Sequence, residues 1–138
     1  MRYIGIDPDT EKNGVALAVD GKIQELHNMP FWDLIQFLEE RPDAHVIIEA
    51  GWLNKSVNHH FAENKYVAAS IGSKVGANAE IGKLIEKFCQ NNARPYRLVK
   101  PVKSKVNQQQ FKVYTGWTKR TNQEQRDAGM LVIGNFKP

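Results

Sequence analysis

A single cysteine, Cys89, occurs in the 138 residues, so no disulfide can form within the chain. A chain this long can instead hold together by its apolar core, and the scarcity of cysteine fits a reducing compartment. Cys89 lies in an apolar-periodic stretch with nothing nearby to lower its pKa, which makes it a core residue rather than a nucleophile. No apolar run approaches the ~20 residues of a membrane span. The start of the chain lacks the basic, apolar and small-residue order of a secretory signal. The expectation is a cytoplasmic protein with no membrane partner. Repeats, low-complexity tracts and linkers are also missing, so residues 1–138 are expected to form one domain. The most informative absence is of acids. None occurs between Lys87 and Gln123, where Lys87, Arg94, Arg97, Lys100, Lys103, Lys105, Lys112, Lys119 and Arg120 supply nine bases. From Met1 to Glu86 the acids outnumber the bases 13 to 8. A one-signed block suits either a polyanion partner or a solubilising face.

What is present reads as alternating strands and helices. "RYIGID" has the compact apolar character of a buried strand. "EKNG" reads as a turn, with Asn13-Gly14 suited to positive φ. "VALAV" is a second strand, and Asp20-Gly21 has the chemistry of a two-residue hairpin turn. "KIQELHNM" makes a third strand. Pro30 opens a helix with Phe31, Leu34, Ile35 and Leu38 on one face. "AHVIIEA" is a fourth strand whose continuous apolar run suits a position covered on both sides. A helix is expected over about Asn58–Ala69, broken by Gly72 and Gly76. A stronger helix follows in "ANAEIGKLIEKFCQNN", with Ile81, Leu84, Ile85 and Phe88 on one stripe. "RPYRLVKP" is a fifth strand, and "VNQQQFKVYTGW" a helix stopped at Gly116. The last helix begins near Thr121, with Glu124 at capping-box spacing. This order predicts an α/β fold: a five-stranded mixed sheet, three antiparallel strands then two parallel, flanked by helices.

Two isolated acids end apolar strands, Asp7 after "YIGI" and Glu49 after "VII". If the first and fourth strands lie side by side and parallel, both acids reach the sheet edge where ligands collect. Glu124 and Asp127, three apart on the last helix, share a face and can join them. Carboxylates that close must share a proton or a cation. Oxygen donors without cysteine suit Mg²⁺ or Mn²⁺ rather than zinc. Each acid also has a plain structural use. Asp7 can cap the turn at Asp9-Thr10, Glu124 can serve only as a capping residue, and Asp127 can pair with Arg126, Arg120 or Lys119.

"YIGIDPDTEKNGVALAV" resembles the opening of the RuvC-type Holliday junction resolvases, an Ile-Gly-Ile-Asp-Pro-Gly motif followed by a glycine entering the second strand. "VIIEAGW" resembles their second motif. "KVGANAEIGKLI", with Lys74 in its Lys-x-Gly start, resembles the helix that follows. "RLVKPVKSKVNQQQF" resembles their strand and basic loop, and "EQRDAGMLV" their final helix. The likeness spans essentially the whole chain in motif order. It implies a ribonuclease H-like fold and a homodimeric, divalent-metal nuclease acting on branched DNA in recombination or repair. By resemblance Asp7, Glu49, Glu124 and Asp127 are the metal-site positions, with Mg²⁺ the expected cofactor and Mn²⁺ able to substitute. Asp9 departs from the family glycine, and Glu124 stands where many relatives carry histidine or aspartate. The chain is shorter than typical cellular resolvases and resembles compact phage or mobile-element versions, which implies the cytoplasm of a bacterium or phage-infected host.

Trp52, three residues after Glu49, sits where the family has a base-stacking aromatic; a core role is the alternative. Lys55, Lys74, Lys100, Lys103, Lys105, Lys119 and Arg120 are the candidate DNA contacts. Adjacent His59 and His60 would diverge by about 100° on a helix and make a poor metal pair. Trp32 and Trp117 fall among apolar neighbours and read as core. Three other functions fit these residues less well. A YqgF-type RNA-processing nuclease lacks a strand-end "IIEAG". A sugar-kinase or actin-like nucleotide binder needs a duplicated domain. A non-catalytic nucleic-acid-binding module has no use for Asp7, Glu49 and Asp127 together.

Overall fold

The computed structural model describes residues 1–54, 65–102 and 104–134, with side chains throughout except at 65–74. Its centre is a five-stranded mixed sheet in the order β3-β2-β1-β4-β5. The strands are β1 (Arg2–Asp7), β2 (Asn13–Val19), β3 (Lys22–Met29), β4 (His45–Glu49) and β5 (Tyr96–Val99). The first three form an antiparallel meander, with Asp7 paired to Gly14 at its far end. The turn between β2 and β3 uses Asp20 and Gly21, both at positive φ (51° and 83°), as a two-residue hairpin requires. β4 runs parallel to β1, and β5 parallel to β4. The C-terminal ends of β1, β4 and β5 therefore share one edge.

The period of two along each strand divides the interior into two cores. Ile4, Ile6, Val15, Leu17, Val46 and Ile48 face one side. There they meet Leu34, Phe37 and Leu38 of α1 (Phe31–Glu39) and Ile85 and Cys89 of α2 (Lys65–Asn91). Burial of the Cys89 thiol pushes its pKa up to about 11, so it is inert packing. Tyr3, Ala16, Ala18 and Ile47 face the other side. They pack against Phe111 of α3 (Gln108–Thr115) and Ala128, Leu131 and Val132 of α4 (Gln123–Gly134). Each fully buried Leu, Ile or Val contributes ~1.5–3 kcal/mol, so both faces are needed to hold the sheet flat between its layers. No helix among the described residues is long and apolar enough to cross a membrane.

Several local expectations give way to tertiary context. α2 is one continuous helix through Gly72 and Gly76 rather than two. A helix-interior glycine costs only ~1 kcal/mol, which docking of Ile81, Ile85, Phe88 and Cys89 on the sheet outweighs. Leu84 falls off that stripe and is half exposed. Residues 58–64 of the expected earlier helix lie outside the described residues. Asn13 and Gly14 are not a positive-φ turn but the first residues of β2. Trp32 is not core; it is 77% exposed beside Phe31. Trp117 does pack against the α4-side core. The end of α3 follows the sequence: Asn107 and Gln110 form a capping box, and Gly116 closes the helix at φ 75°.

Gly14 answers to its neighbour rather than to its own φ. A Cβ there would lie 2.2 Å from the backbone oxygen of Glu124, so only glycine lets α4 rest on β2. Gly76 has open space around it. Gly14→Val is expected to destabilise the protein by ~1–3 kcal/mol, as forced overpacking does. Gly76→Ala is expected to stabilise it by ~0.5–1 kcal/mol through helix propensity. Urea unfolding of both variants checks the pair, and equal effects would contradict this account of α4.

Candidate metal centre

Three chain segments deliver acids to the common edge. Asp7 ends β1, Glu49 ends the neighbouring β4, and Asp127 lies one turn into α4. One carboxylate oxygen from each of these three residues lies within 4.8 Å of the other two. All three residues are half-buried. The loop after β5 adds a cation: Lys105 Nζ lies 3.0 Å from Asp127 Oδ2 and 3.8 Å from Glu49 Oε1.

The electrostatics follow from burying like charges together. Burial pushes the Asp7 carboxyl up, and the charges of Glu49, Asp127 and Glu124 push it further, to about 8 against only partial relief from Lys105. Burial also raises Glu49, with Lys105 opposing and Asp127 adding to the shift. For Lys105, burial pulls the ammonium down. Its hydrogen bond to Asp127 and the charges of Glu49, Asp127 and Asp7 outweigh that and raise it. One ammonium thus faces three carboxylates, and the excess adds to the burial that lifts Asp7. A cluster of hard oxygen donors with uncompensated negative charge fits a divalent cation such as Mg²⁺ or Mn²⁺, and these three residues would hold it.

Glu124 sits apart from the three. It is exposed, one helical turn before Asp127, and near enough to raise Asp7 by its charge. It is not the capping residue expected of it. The cap is Asn122, whose Oδ1 accepts from Gln125 N at 2.9 Å, while Gln125 Oε1 accepts from Asn122 N at 3.0 Å. Thr121 instead donates from its backbone and its hydroxyl to Gln108 Oε1. The cap moved by one residue because Asn122 and Gln125 match the same chemistry as Thr121 and Glu124. That leaves the Glu124 carboxylate free of the helix terminus. Asp127 pairs with Lys105, rather than with Arg126, Arg120 or Lys119.

Trp52 follows β4 in a short 3-10 turn, Gly51–Leu53. It is half-buried, and its ring packs against Gly82 of α2, where there is no room for a Cβ beside the indole. With Asp7, Pro8, Glu49 and Asn78 it lines a cavity of about 160 Å³ beside the acids. Trp52 thus both packs against the core and borders the site. Lys100 and Lys105 lie at the same sheet edge. Lys119 and Arg120 are exposed in the loop leading to α4. Lys55, Lys103, His59 and His60 lie outside the described residues, as does the side chain of Lys74. Arg94 leaves the basic surface altogether: it is buried and donates to Leu38 O at 2.7 Å.

Other residues position the site without being candidates from sequence. Gln123 Nε2 donates to Asp127 Oδ1 at 2.8 Å, one turn away on α4. Arg126 Nε donates to Val106 O at 2.8 Å, pinning the loop that carries Lys105 to the helix that carries Asp127. Buried Asn13 donates to Met29 O and accepts from Asp9 N, fixing the loop that leaves Asp7. Asn78 of α2 accepts from Thr10 N in the same loop. The i,i+4 spacing of Gln123 and Asp127 was a readable signal for the first of these. The others depend on long-range contacts.

No model of a known protein family matches the sequence, and no curated protein matches it. Solved structures do. The chain is similar to Thermus thermophilus RuvC in complex with a Holliday junction substrate, at TM-score 0.62 and 13% identity, covering 96% of this chain and 90% of that one. It is also similar to a second Thermus thermophilus RuvC structure, at TM-score 0.59 and 15% identity, covering 96% of this chain and 92% of that one. The fold is RuvC-like, within the ribonuclease H-like class that the sequence motifs imply.

Proposed function

We propose that this chain is a divalent-metal-dependent endonuclease that hydrolyses phosphodiester bonds in branched DNA, as a Holliday junction resolvase does. One observation carries the reading. Carboxylates from β1, β4 and α4 converge within 4.8 Å at the C-terminal edge of parallel strands, with a lysine between them. The likeness of fold to a RuvC in complex with a Holliday junction adds support. Asp7, Glu49 and Asp127 hold Mg²⁺ or Mn²⁺, and Glu124 is the fourth position beside them. When bound, the cation supplies charge at the scissile phosphate and lowers the pKa of an attacking water.

The chain's own residues do the rest. Lys105 neutralises the acids and offers an ammonium to the phosphate as negative charge builds on it. Gln123 keeps Asp127 aimed into the cluster. Trp52 presents its exposed part to a base near the branch, where stacking is worth ~1–3 kcal/mol. Lys100, Lys119 and Arg120 meet the DNA backbone, together with Lys55, Lys74 and Lys103. Cutting two strands of one junction requires two such sites, so the working form is a homodimer. Its use is in recombination or repair of branched DNA.

A labelled immobile four-way junction and its matched linear duplex, incubated with Mg²⁺, Mn²⁺ or EDTA, test the reading. Paired metal-dependent nicks near the branch are expected, and cutting of duplex and junction alike would overturn it. Asp7→Asn is expected to lower cleavage by ~10³-fold or more, the several kcal/mol that a metal-site carboxylate supplies. Asp127→Asn should match it. Glu124→Gln should cost less, ~10-fold, because Glu124 lies outside the three-carboxylate group.

The raised Asp7 pKa sets the pH dependence. The folded state binds this proton more tightly than the unfolded state, whose carboxyl titrates near its ordinary 3.8. In EDTA the stability contributed by Asp7 is therefore full below about pH 4 and is lost as pH rises through about 8. Thermal melts in EDTA should show that decline in the parent and a weaker one in Asp7→Asn. Mn²⁺ should reverse it, and its affinity should climb toward pH 8 as the proton leaves. Lys105→Met separates two roles of one residue. It is expected to bind Mn²⁺ more tightly by calorimetry, because a competing cation is gone. It should cleave ~10–100-fold more slowly, because a charged hydrogen bond worth ~1.5–3 kcal/mol is lost. Unchanged Mn²⁺ affinity would count against Lys105 as the counter-ion.

A further inference from the structure

Glu49 is a wall between two cavities. On its α2 side is the small one beside Asp7 and Trp52. On its α4 side the sheet edge opens into a larger one of about 530 Å³, within the ~300–1,000 Å³ of small-ligand sites. Its lining is mainly apolar, with Val99, Met130 and Leu131 and the more exposed Val102. Its rim carries charge: Lys100 and Lys105, with Glu49 and Asp127 shared with the acid cluster.

We propose that this cavity receives a single unstacked nucleobase of the DNA substrate and thereby sets which phosphate reaches the acids. This rests on the reading of the chain as a nuclease of branched DNA. The chemistry of the lining selects the occupant. A nucleobase offers flat apolar faces to Val99, Val102 and Leu131, and its π-system suits the polarisable sulfur of Met130. Each nucleotide also brings an anionic phosphate on either side. Lys100 and Lys105, both on the rim, are the complementary cations. An uncharged apolar ligand would have no use for those lysines. A base seated there leaves its own backbone beside Glu49 and Asp127, so the phosphate next to it is the one presented for cleavage. In duplex DNA every base would first have to leave the stack. At a branch point stacking is interrupted and a base leaves it at lower cost, and the cavity turns that difference into selectivity.

The test uses the full chain and four-way junctions carrying one altered nucleotide each, at successive positions around the branch. The first alteration is an abasic residue and the second is 2-aminopurine. An abasic residue at one position adjoining the cut is expected to lower kcat/KM by 10-fold or more, while the others have little effect. With Ca²⁺ in place of Mg²⁺, 2-aminopurine emission at that same position should rise on binding as the base unstacks. Met130→Trp fills the cavity. It should keep the parent's melting temperature and Mn²⁺ affinity, cleave 10-fold or more slowly, and lose the abasic penalty. Cleavage indifferent to abasic residues at every position, with no 2-aminopurine response, would overturn the proposal while leaving the nuclease reading intact. Failure to bind or cut any branched DNA would remove both. A melting temperature lowered by several degrees in Met130→Trp, without base dependence in the parent, would assign the cavity to the chain's own side chains.

Discussion

Between the first turn of α4 and the mouth of β2 there is no room for a side chain. A Cβ at Gly14 would press on the Glu124 carbonyl, and one at Gly5 would lie 2.4 Å from the Ala128 carbonyl. Ala16 and Ala18 keep β2 low beneath the helix. Because the face is so flat, α4 lies directly across β1 and β2, and its one inward acid, Asp127, reaches the ends of β1 and β4. A valine at Gly5 or Gly14 would lift the helix away from the carboxylates of β1 and β4. The small residues thus place the acid cluster without being part of it.

Convergence of acids opposes folding, since burying like charges is unfavourable. The protein tolerates it in two ways. All three carboxylates sit at a rim rather than inside the core, and Lys105 stands among them as an internal counter-ion. The lysine depends in turn on Arg126, which ties the Lys105 loop to α4 through the Val106 carbonyl. Arg126 neighbours Asp127 in sequence, so one helical segment supplies both a ligand and the clamp on that ligand's partner. Asp7 remains the least compensated of the group. In the proposed metal-bound form a cation would relieve it most, which would make Asp7 the residue that links metal loading, proton release and stability.

The sheet and the meeting of Asp7 with Glu49 were readable because both rest on local patterns. A short apolar run fixes a strand, its last residue fixes an edge, and parallel neighbours bring two such ends together. Trp32 was misread for an equally local reason. Phe31, Leu34 and Leu38 define the buried face of α1, and Trp32 is turned about 100° from Phe31. Hydrophobicity suggested core, whereas the helical period placed it outside. The glycines were harder. Gly14 and Gly76 look alike in sequence, yet one answers to a carbonyl on α4 and the other to nothing. The cap of α4 was ambiguous between two adjacent residues of the same chemistry. Lys105 was one basic residue among many until the fold aimed it at Asp127.

The basic block takes on a division of labour once it is folded. Arg94 is withdrawn into the core to satisfy the Leu38 carbonyl, and Lys105 is engaged by the acids. The exposed remainder includes Lys100 just past β5 and Lys119 and Arg120 in the loop that leads to α4. On the proposed reading, a DNA backbone drawn toward these charges must also come close to the carboxylates. Repulsion from the acids would resist that path if the cluster were bare. On that reading, charge balance makes the cation a condition of substrate approach as well as of chemistry, with Lys105 a positive group already paired with the acids.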